Sequence, residues 1–208
     1  MDAPAANVRE KLLEAAMAVV DVNGVEGIRV RDIAAAADVR EPSVYHYFGS
    51  REGLVEAVEA ARFKRDLTQV TSLFSQAVGD CSSSTEFLAL CRSVIAATTS
   101  PERVHVRSVR SSVFGSAQSR PELATLISQA QVELDADLAR GFELAQKNGW
   151  VRPDLDCLTF AAWINGMVNG RIILEMNPEA YHEHRWTEFS EQAVLFGLGY
   201  VNHQPVWK

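Results

Sequence analysis

A short segment near the start of the chain carries side chains suited to hydrogen bonding with phosphates and base edges. Residues 43–48 read Ser-Val-Tyr-His-Tyr-Phe, and Pro42 lies before them, where the first turn of a helix accepts proline. Val44 and Phe48 are four residues apart and would face inward. The hydroxyl, phenol and imidazole groups would then lie outside, where they suit the major groove of DNA. The chemistry predicted is recognition through hydrogen bonds.

The residues before this segment predict a second short helix and a tight turn. Val30, Ile33 and Ala34 follow the i, i+3, i+4 spacing of one helix face. A break at residues 37–39 follows, in which Asp38 is a residue type that tolerates a left-handed backbone. Two short helices joined by a tight turn form a helix-turn-helix.

These residues also carry a family resemblance. The runs VRDIAAAADV, SVYHYF and GSREGL resemble the DNA-binding domain of TetR (tetracycline-repressor-like) transcriptional regulators, from near Val8 to about Val58. The chain departs from the family pattern at Asp38, where glycine is usual, at Arg40, where serine often caps the recognition helix, and at the Ile28-Arg29 pair. The resemblance implies that double-stranded operator DNA is contacted by Arg31, Glu41, Pro42, Ser43, Tyr45, His46, Tyr47 and Arg51.

The fold predicted is all-α, with about nine helices and no strand. A three-helix DNA-binding domain would occupy residues 1–52, and six helices in residues 53–208 would bind an effector and form a dimer. Helix ends are predicted by capping patterns such as Ser83-x-x-Glu86 and by glycines such as Gly24 and Gly149. Two further helices are predicted, one from Pro153 to about Glu175 and one between residues 185 and 202.

Composition and charge limit the class of protein. The chain has 208 residues, of which 47% are hydrophobic, and a net charge of −7. Residues 29–51 carry four arginines against three acidic residues, a narrow basic patch that predicts modest, salt-dependent binding to non-specific DNA. The three cysteines lack CxxC spacing, and we find neither a secretory start nor an 18-residue apolar run. We therefore expect a cytoplasmic protein with free thiols and no membrane segment.

Two candidate sites lie in the second part of the chain. The family resemblance implies a homodimer formed by the last two helices, although the same faces would also suit packing within one monomer. The predicted interface consists of Leu158, Ala162, Asn165, Gly166, Asn169, Ile173, Val194, Leu195 and Leu198. An unidentified small-molecule effector would lie between the middle helices, where each apolar residue also fits an ordinary core. The predicted pocket consists of Phe87, Cys91, His105, Arg107, Val109, Arg110, Phe114, Leu134, Leu138, Trp163, Asn165 and Met167.

The sequence gives little support to catalysis. His182 and His184 are alternate residues that would point apart on a helix, and no third metal ligand is near them in sequence. Nucleotide-binding and hydrolase motifs are missing, so we predict no catalytic residue, metal or cofactor. Two alternatives stay open: a helical small-molecule binding protein without specific DNA binding, and a small helical enzyme.

Overall fold

The computed structural model of the protein describes residues 3–201 and 204–205. Within them the fold is all-α, and its ten α-helices pass through two compact units, residues 1–63 with 116–128 and residues 64–115 with 129–208. The predicted boundary at residues 52 and 53 stays a prediction. The helices are α1 (Ala3–Asn23), α2 (Val30–Ala36), α3 (Glu41–Phe48), α4 (Arg51–Asp80), α5 (Ser84–Thr98), α6 (Val104–Ala117), α7 (Pro121–Lys147), α8 (Cys157–Gly170), α9 (Ile172–Glu175) and α10 (Glu183–Leu198).

Short elements connect these helices. Single 3₁₀ turns lie at Val25–Gly27, Pro101–Arg103 and Pro178–Ala180. After α10 the chain forms a small antiparallel pair, β1 (Tyr200–Val201) and β2 (Gln204–Pro205), in which Tyr200 is opposite Pro205. The sequence predicts no strand here, and it predicts a last helix that runs on past residue 198. Gly199 has φ 97°, a left-handed conformation that ends the helix at Leu198.

The first unit has its own apolar core. It is formed by residues of α1, α2, α3, the start of α4 and the turns on either side of α2, namely Leu12, Ala16, Val20, Ile28, Ile33, Ala34, Ala37, Val44, Leu54, Val55 and Val58. In the segment 116–128, Leu123 and Ile127 are buried. Arg120 of that segment donates a hydrogen bond to the buried carboxylate of Glu59 on α4, and its Nε lies 3.5 Å from Oε1 of Glu56. Because a buried carboxylate needs a counter-charge, this contact fixes the segment on α4 within the first unit.

The second unit is a helical bundle around a larger core. Phe74, Phe87, Phe142 and Phe160 are its buried phenylalanines, and Phe142 lies between the rings of Phe74 and Phe160 at centroid distances of 5.1 and 5.2 Å. Capping begins α5 as predicted, because the Ser83 hydroxyl accepts from the backbone N–H of Glu86. The Glu86 carboxylate accepts in turn from the backbone N–H of Ser82.

One segment of this unit, Cys157–Glu175, is long and apolar enough by composition to cross a membrane. The sequence predicts one helix through it, but the structure divides it at Arg171 into α8 and α9. Arg171 is buried beside Glu175, with Nε 3.6 Å from Oε1. Phe160 and Leu174 of the same segment are also buried. A core helix passes the same compositional test, so this segment does not indicate a membrane protein.

Candidate nucleic-acid interface and ligand cavity

The turn between α2 and α3 contains the left-handed residue that the sequence predicts. Asp38 has φ 55° and is the one non-glycine residue with positive φ in the part of the chain that the structure describes. The N–H of Val39 donates to the carbonyl of Ala34 (2.9 Å), and the N–H of Asp38 donates to that of Ala35 (3.2 Å). These two bonds form a Schellman motif, which places α3 after one sharp change of direction.

Asp38→Gly is expected to raise the free energy of unfolding by about 0.5–1 kcal/mol. Glycine adopts the left-handed conformation without the steric cost that an L-residue meets there, although it gives up more entropy on folding. Asp38→Ala is the matched control and should lower stability, because alanine has neither glycine's freedom nor the local hydrogen bonding of aspartate. Chemical unfolding of the three proteins measures both changes. Equal or lower stability of the glycine variant would contradict this account of the turn.

Helix α3 presents one buried and one exposed face. Val44 is fully buried and Phe48 packs partly against the same core, as the i, i+4 spacing predicts. Tyr45 is 47% exposed, and the phenol oxygen lies 3.5 Å from the Glu41 carboxylate. Of the other predicted DNA-contact residues, Arg31, Glu41, Pro42 and His46 are exposed, while Ser43 and Tyr47 are half-buried. The exposed face of α3 therefore brings together hydroxyl, phenol and imidazole groups.

The start of α3 lacks a side-chain cap. Arg40 occupies the capping position in an extended conformation and makes no capping side-chain hydrogen bond. The N–H of Ser43 instead donates to the backbone carbonyl of Arg40 at 2.9 Å. Pro42, within the first turn, needs no partner because it has no N–H. The remaining N–H groups at this end are available to an anion such as phosphate.

The Arg51 side chain contacts other residues of the first unit, whereas the family resemblance implies a contact with DNA. Its guanidinium Nε donates to the carbonyl of Ile28 at 3.2 Å, and one terminal nitrogen donates to that of Val25 at 3.3 Å. The other terminal nitrogen lies 3.7 Å from Glu52. These contacts hold the turn before α2 against the start of α4. A phosphate contact by Arg51 would have to replace them, so its DNA-binding role stays a prediction.

The second unit contains a small, mostly apolar cavity. It has a volume of about 50 Å³, and its lining comes from α4, α5, α7, α8 and α10. The lining residues are Thr71, Phe74, Cys91, Val94, Ile95, Thr98, Leu138, Phe142, Ile164, Asn165, Val168 and Val194. Burial raises the pKa of the Cys91 thiol far above its usual range, so the thiol is neutral. Of the predicted pocket residues, Cys91, Leu138 and Asn165 line this cavity.

A chain of buried and half-buried polar side chains ends at the cavity. Asn165 donates to Oδ1 of Asp135 at 2.6 Å, and Gln131 donates to the same oxygen at 2.8 Å. Arg110 donates to Gln131 at 2.6 Å and to the side-chain carbonyl of Asn169 at 3.1 Å. Burial lowers the pKa of Arg110 to about 10, an effect that the charge of Asp135 partly offsets, so the guanidinium is still protonated at neutral pH.

Gln131 and Asp135 are functional candidates that the sequence analysis does not include. They are four residues apart on α7, and Asp135 lies on the face that also carries the buried Leu138 and Ala139. The sequence signal that could indicate Gln131 and Asp135 is a pair of polar residues four positions apart on a helix face that is otherwise apolar.

Several predicted pocket residues lie elsewhere. His105, Phe114 and Trp163 are exposed, Phe87 and Leu134 belong to the interior, and Val109 and Met167 are half-buried. Arg107 is buried in a different cluster, where it donates to Glu175 and to the carbonyls of Thr98 and Ser100. The exposed three do not line this cavity, because helical spacing alone does not fix which side of an α-helix faces the interior, and a role for them in ligand binding stays a prediction.

The predicted dimer interface also divides into two groups. Val194, Leu195 and Leu198 are buried in the second unit's own core, and Asn165 is bonded to Asp135, so these four are not surface residues. Asn169 is half-buried against Arg110. The predicted Leu158, Ala162, Gly166 and Ile173 are exposed, and Trp163, Phe189 and Phe196 are large exposed apolar groups on the same helices that the prediction omits.

No group of three His, Cys, Asp or Glu side chains among the described residues could hold a metal ion. The rings of His182 and His184 have centroids 5.9 Å apart, and both side chains are exposed.

Comparisons with known proteins match part of the first unit to a known family. The sequence model for "Bacterial regulatory proteins, tetR family" matches residues 12–58. The HTH-type transcriptional regulator BetI of Paraburkholderia phytofirmans is 26% identical over 167 residues, which cover 78% of this chain and 83% of that protein.

Solved structures share the fold along the length of the chain. FadR of Thermus thermophilus, a TetR-family transcriptional repressor in complex with lauroyl-CoA, has a TM-score of 0.67 at 16% identity, covering 95% of this chain and 98% of that one. FadR of Bacillus subtilis, in complex with stearoyl-CoA, has a TM-score of 0.57 at 19% identity, covering 90% and 98%. At these identities the structures support the fold alone.

Proposed function

Because this chain belongs to the TetR family and is a transcriptional regulator with a helix-turn-helix DNA-binding domain, we propose that it is a homodimeric repressor of palindromic operator DNA. A small molecule bound in the second unit would release it. The observation that carries the proposal is the exposed face of α3, where the side chains of Tyr45 and His46 lie outside the core of the first unit. The protein would act in the cytoplasm, by binding rather than by catalysis.

The exposed apolar faces of α8 and α10 support the homodimer. Phe189 and Phe196 on α10 are 69% and 66% exposed, and they are seven residues apart, two turns along one face. Leu158 and Ala162 on α8 repeat at i, i+4, and Gly166 follows at the same spacing. Large exposed apolar groups beside small residues suit close packing with a second copy. A dimer would place two α3 helices on successive major grooves, as a palindromic site requires.

Release by a ligand would be a shift of population between two dimer conformations. The ligand would favour a conformation in which the two α3 helices no longer match the spacing of the grooves. With a typical coupling free energy of about 1–3 kcal/mol, the ligand would weaken operator binding by about 5- to 150-fold. Along the chain, α4, α6 and α7 each have residues in both units and are the helices through which such a change can pass.

Fluorescence anisotropy tests the proposal directly. The full-length protein is titrated onto DNA from upstream of its own gene and onto scrambled DNA, from low to moderate salt. We expect a preference of about 10³-fold or more for the operator, with binding that weakens as salt rises. Equal, weak binding to every sequence, including DNA selected from a random pool, would favour a ligand-binding protein without specific DNA recognition.

Tyr45→Ala is expected to weaken operator binding by about 5- to 150-fold, which corresponds to about 1–3 kcal/mol for one base-specific contact. The dimer and the helical content should not change, because the Tyr45 side chain is half exposed and outside the core. Tyr181→Ala is the matched control, since Tyr181 is 48% exposed and belongs to the second unit. Anisotropy measures affinity, and sedimentation velocity measures the dimer. Unchanged operator affinity of the Tyr45 variant would remove the main DNA contact from the proposal.

A further inference from the structure

The lining of the cavity in the second unit is mainly apolar and uncharged. Nine of its twelve lining residues are apolar, and the remaining three are Thr71, Thr98 and Asn165. No lining residue carries a charged side chain. A phosphate or carboxylate inside this cavity would therefore lose its hydration without a counter-charge among the lining residues, which is costly. The lining favours an uncharged, mainly apolar molecule.

The two threonines already use their hydroxyl protons. Thr98 donates to the carbonyl of Val94 at 2.7 Å, one helical turn earlier on α5. Thr71 donates to the carbonyl of Thr68 at 3.2 Å on α4. Both hydroxyls are therefore held against their own helices. We therefore do not expect either hydroxyl to orient a ligand in the cavity.

Asn165 is different because its orientation is fixed from outside the cavity. The carboxylate of Asp135 can only accept, so the side-chain NH₂ of Asn165 must face it, and the amide oxygen must face the other way. Asn165 is 7% exposed, and the hydrogen bond that it forms with the described residues is made by its NH₂ group and not by its amide oxygen. A buried acceptor at the wall of an apolar cavity favours an occupant that supplies a donor.

The charge behind Asn165 is balanced. Asp135 accepts from both Asn165 and Gln131, and Gln131 accepts from Arg110. One carboxylate and one guanidinium thus belong to the same buried chain, which gives the cavity wall no net charge. Asp135 acts as a positioning residue, since it orients the amide of Asn165 without lining the cavity itself.

We propose that this cavity binds an uncharged, mainly apolar small molecule that donates a hydrogen bond to Oδ1 of Asn165. The inference rests on the proposed control by a small molecule and names the chemistry of that effector. At about 50 Å³ the cavity is well below the usual 300–1,000 Å³ of ligand pockets, so the occupant is small or the cavity widens around it. Water is the competing occupant, because a buried acceptor can also be satisfied by an ordered water.

Two ring compounds of the same shape test the proposal. Pyrrole carries one N–H donor, whereas furan has none, and both are small, uncharged and mainly apolar. Each is titrated into the full-length protein, and the ¹³C-labelled methyl groups of Ile95 and Ile164, which line the cavity, report binding by their chemical shifts. We expect pyrrole to bind about 3- to 10-fold more tightly than furan, the usual effect of one hydrogen bond.

Two variants assign the preference to one atom. Asn165→Leu keeps the size of the side chain and removes the acceptor, so the preference for pyrrole should fall below about 2-fold. Thr98→Val is the matched control: it removes a polar group of the same cavity that is already bonded to Val94, and the preference should persist. If the Asn165 variant does not fold, the comparison of pyrrole with furan on the unchanged protein still tests whether the cavity prefers a donor, and equal binding of the two would contradict the proposal.

Three outcomes would overturn the proposal. They are equal binding of furan and pyrrole, a preference that persists in Asn165→Leu, and no shift of the cavity methyl groups with either compound. The last result would leave water as the occupant. The titration contains no DNA, and the operator measurement contains no ligand. Failure of the ligand chemistry is therefore distinguishable from failure of the proposed repressor function.

Discussion

Arg107→Met is expected to lower the free energy of unfolding by about 3–5 kcal/mol, the usual cost of breaking a buried ion pair by removing one partner. The Arg107 side chain is 1% exposed and lies in the second unit beside Glu175, which is 9% exposed. Methionine retains much of the apolar length of arginine and none of its donors. The loss would therefore come from unpaired polar groups rather than from an empty space.

Three acceptors depend on this one guanidinium. Its Nε donates to Glu175 at 2.8 Å, and its two terminal nitrogens donate to the carbonyls of Thr98 and Ser100 at 2.9 and 2.8 Å. Thr98 is the last residue of α5, where carbonyls have no partner within the helix. Arg107 thus closes the end of α5 and places a positive charge at the negative end of its dipole.

Arg185→Met is the matched control, because Arg185 forms an ion pair with Glu188 at 2.8 Å while both side chains are at least half exposed. An exposed pair contributes about 0–1 kcal/mol, so this variant should unfold almost like the unchanged protein. Urea unfolding at one fixed protein concentration measures both, since the stability of a dimer depends on concentration. A loss below about 1 kcal/mol for Arg107→Met would show that the buried contacts contribute no more than exposed ones.

Arg107 also shows what kind of contact cannot be predicted from the sequence alone. An arginine on α6 at helical spacing from Arg110 is equally consistent with a ligand contact and with an internal ion pair. The partner that decides between them, Glu175, is 68 residues away in the chain. No local pattern joins the two positions, because the contact exists only after α6 and α9 have packed. The sequence alone therefore does not choose between these two roles for Arg107.

Patterns that involve only neighbouring residues, in contrast, predict the structure correctly at two places. Asp38 is left-handed, and the capping pattern at Ser83 and Glu86 is formed, because each depends on residues within one or two turns. Helix α10 shows the limit of such signals. Val194 and Phe196 are both apolar and only two residues apart, yet one is buried and the other is 66% exposed. A helix that is apolar on two sides does not reveal which side faces its own core.

Gly53→Ala is expected to lower the free energy of unfolding by about 3 kcal/mol, at the upper end of the usual cost of overpacking. A Cβ atom at Gly53 would lie 2.1 Å from the carbonyl oxygen of Phe48 and 3.2 Å from the carbonyl carbon. The atom that obstructs it is backbone, so no change of rotamer relieves the contact. Either the end of α3 or the first turn of α4 has to move.

Both ends of this turn are already fixed by hydrogen bonds. The N–H of Ser50 donates to the carbonyl of Phe48 at 2.8 Å, and the Ser50 hydroxyl caps the start of α4 by accepting from the N–H of Gly53 at 2.9 Å. Displacement of the Phe48 carbonyl would break the first bond and shift the last turn of α3. Operator affinity should therefore fall even where the variant is still folded, because the α3 side chains would no longer meet the groove in register.

Gly115→Ala is the matched control for this close approach. Gly115 lies within α6, where an added Cβ would meet nothing within 4 Å, so alanine should raise stability by about 0.5–1 kcal/mol. The two substitutions are chemically identical and are expected to act in opposite directions. Thermal unfolding and operator anisotropy of both variants measure the difference. Stability and affinity unchanged by Gly53→Ala would mean that α3 and α4 join with more room than the 2.1 Å approach allows.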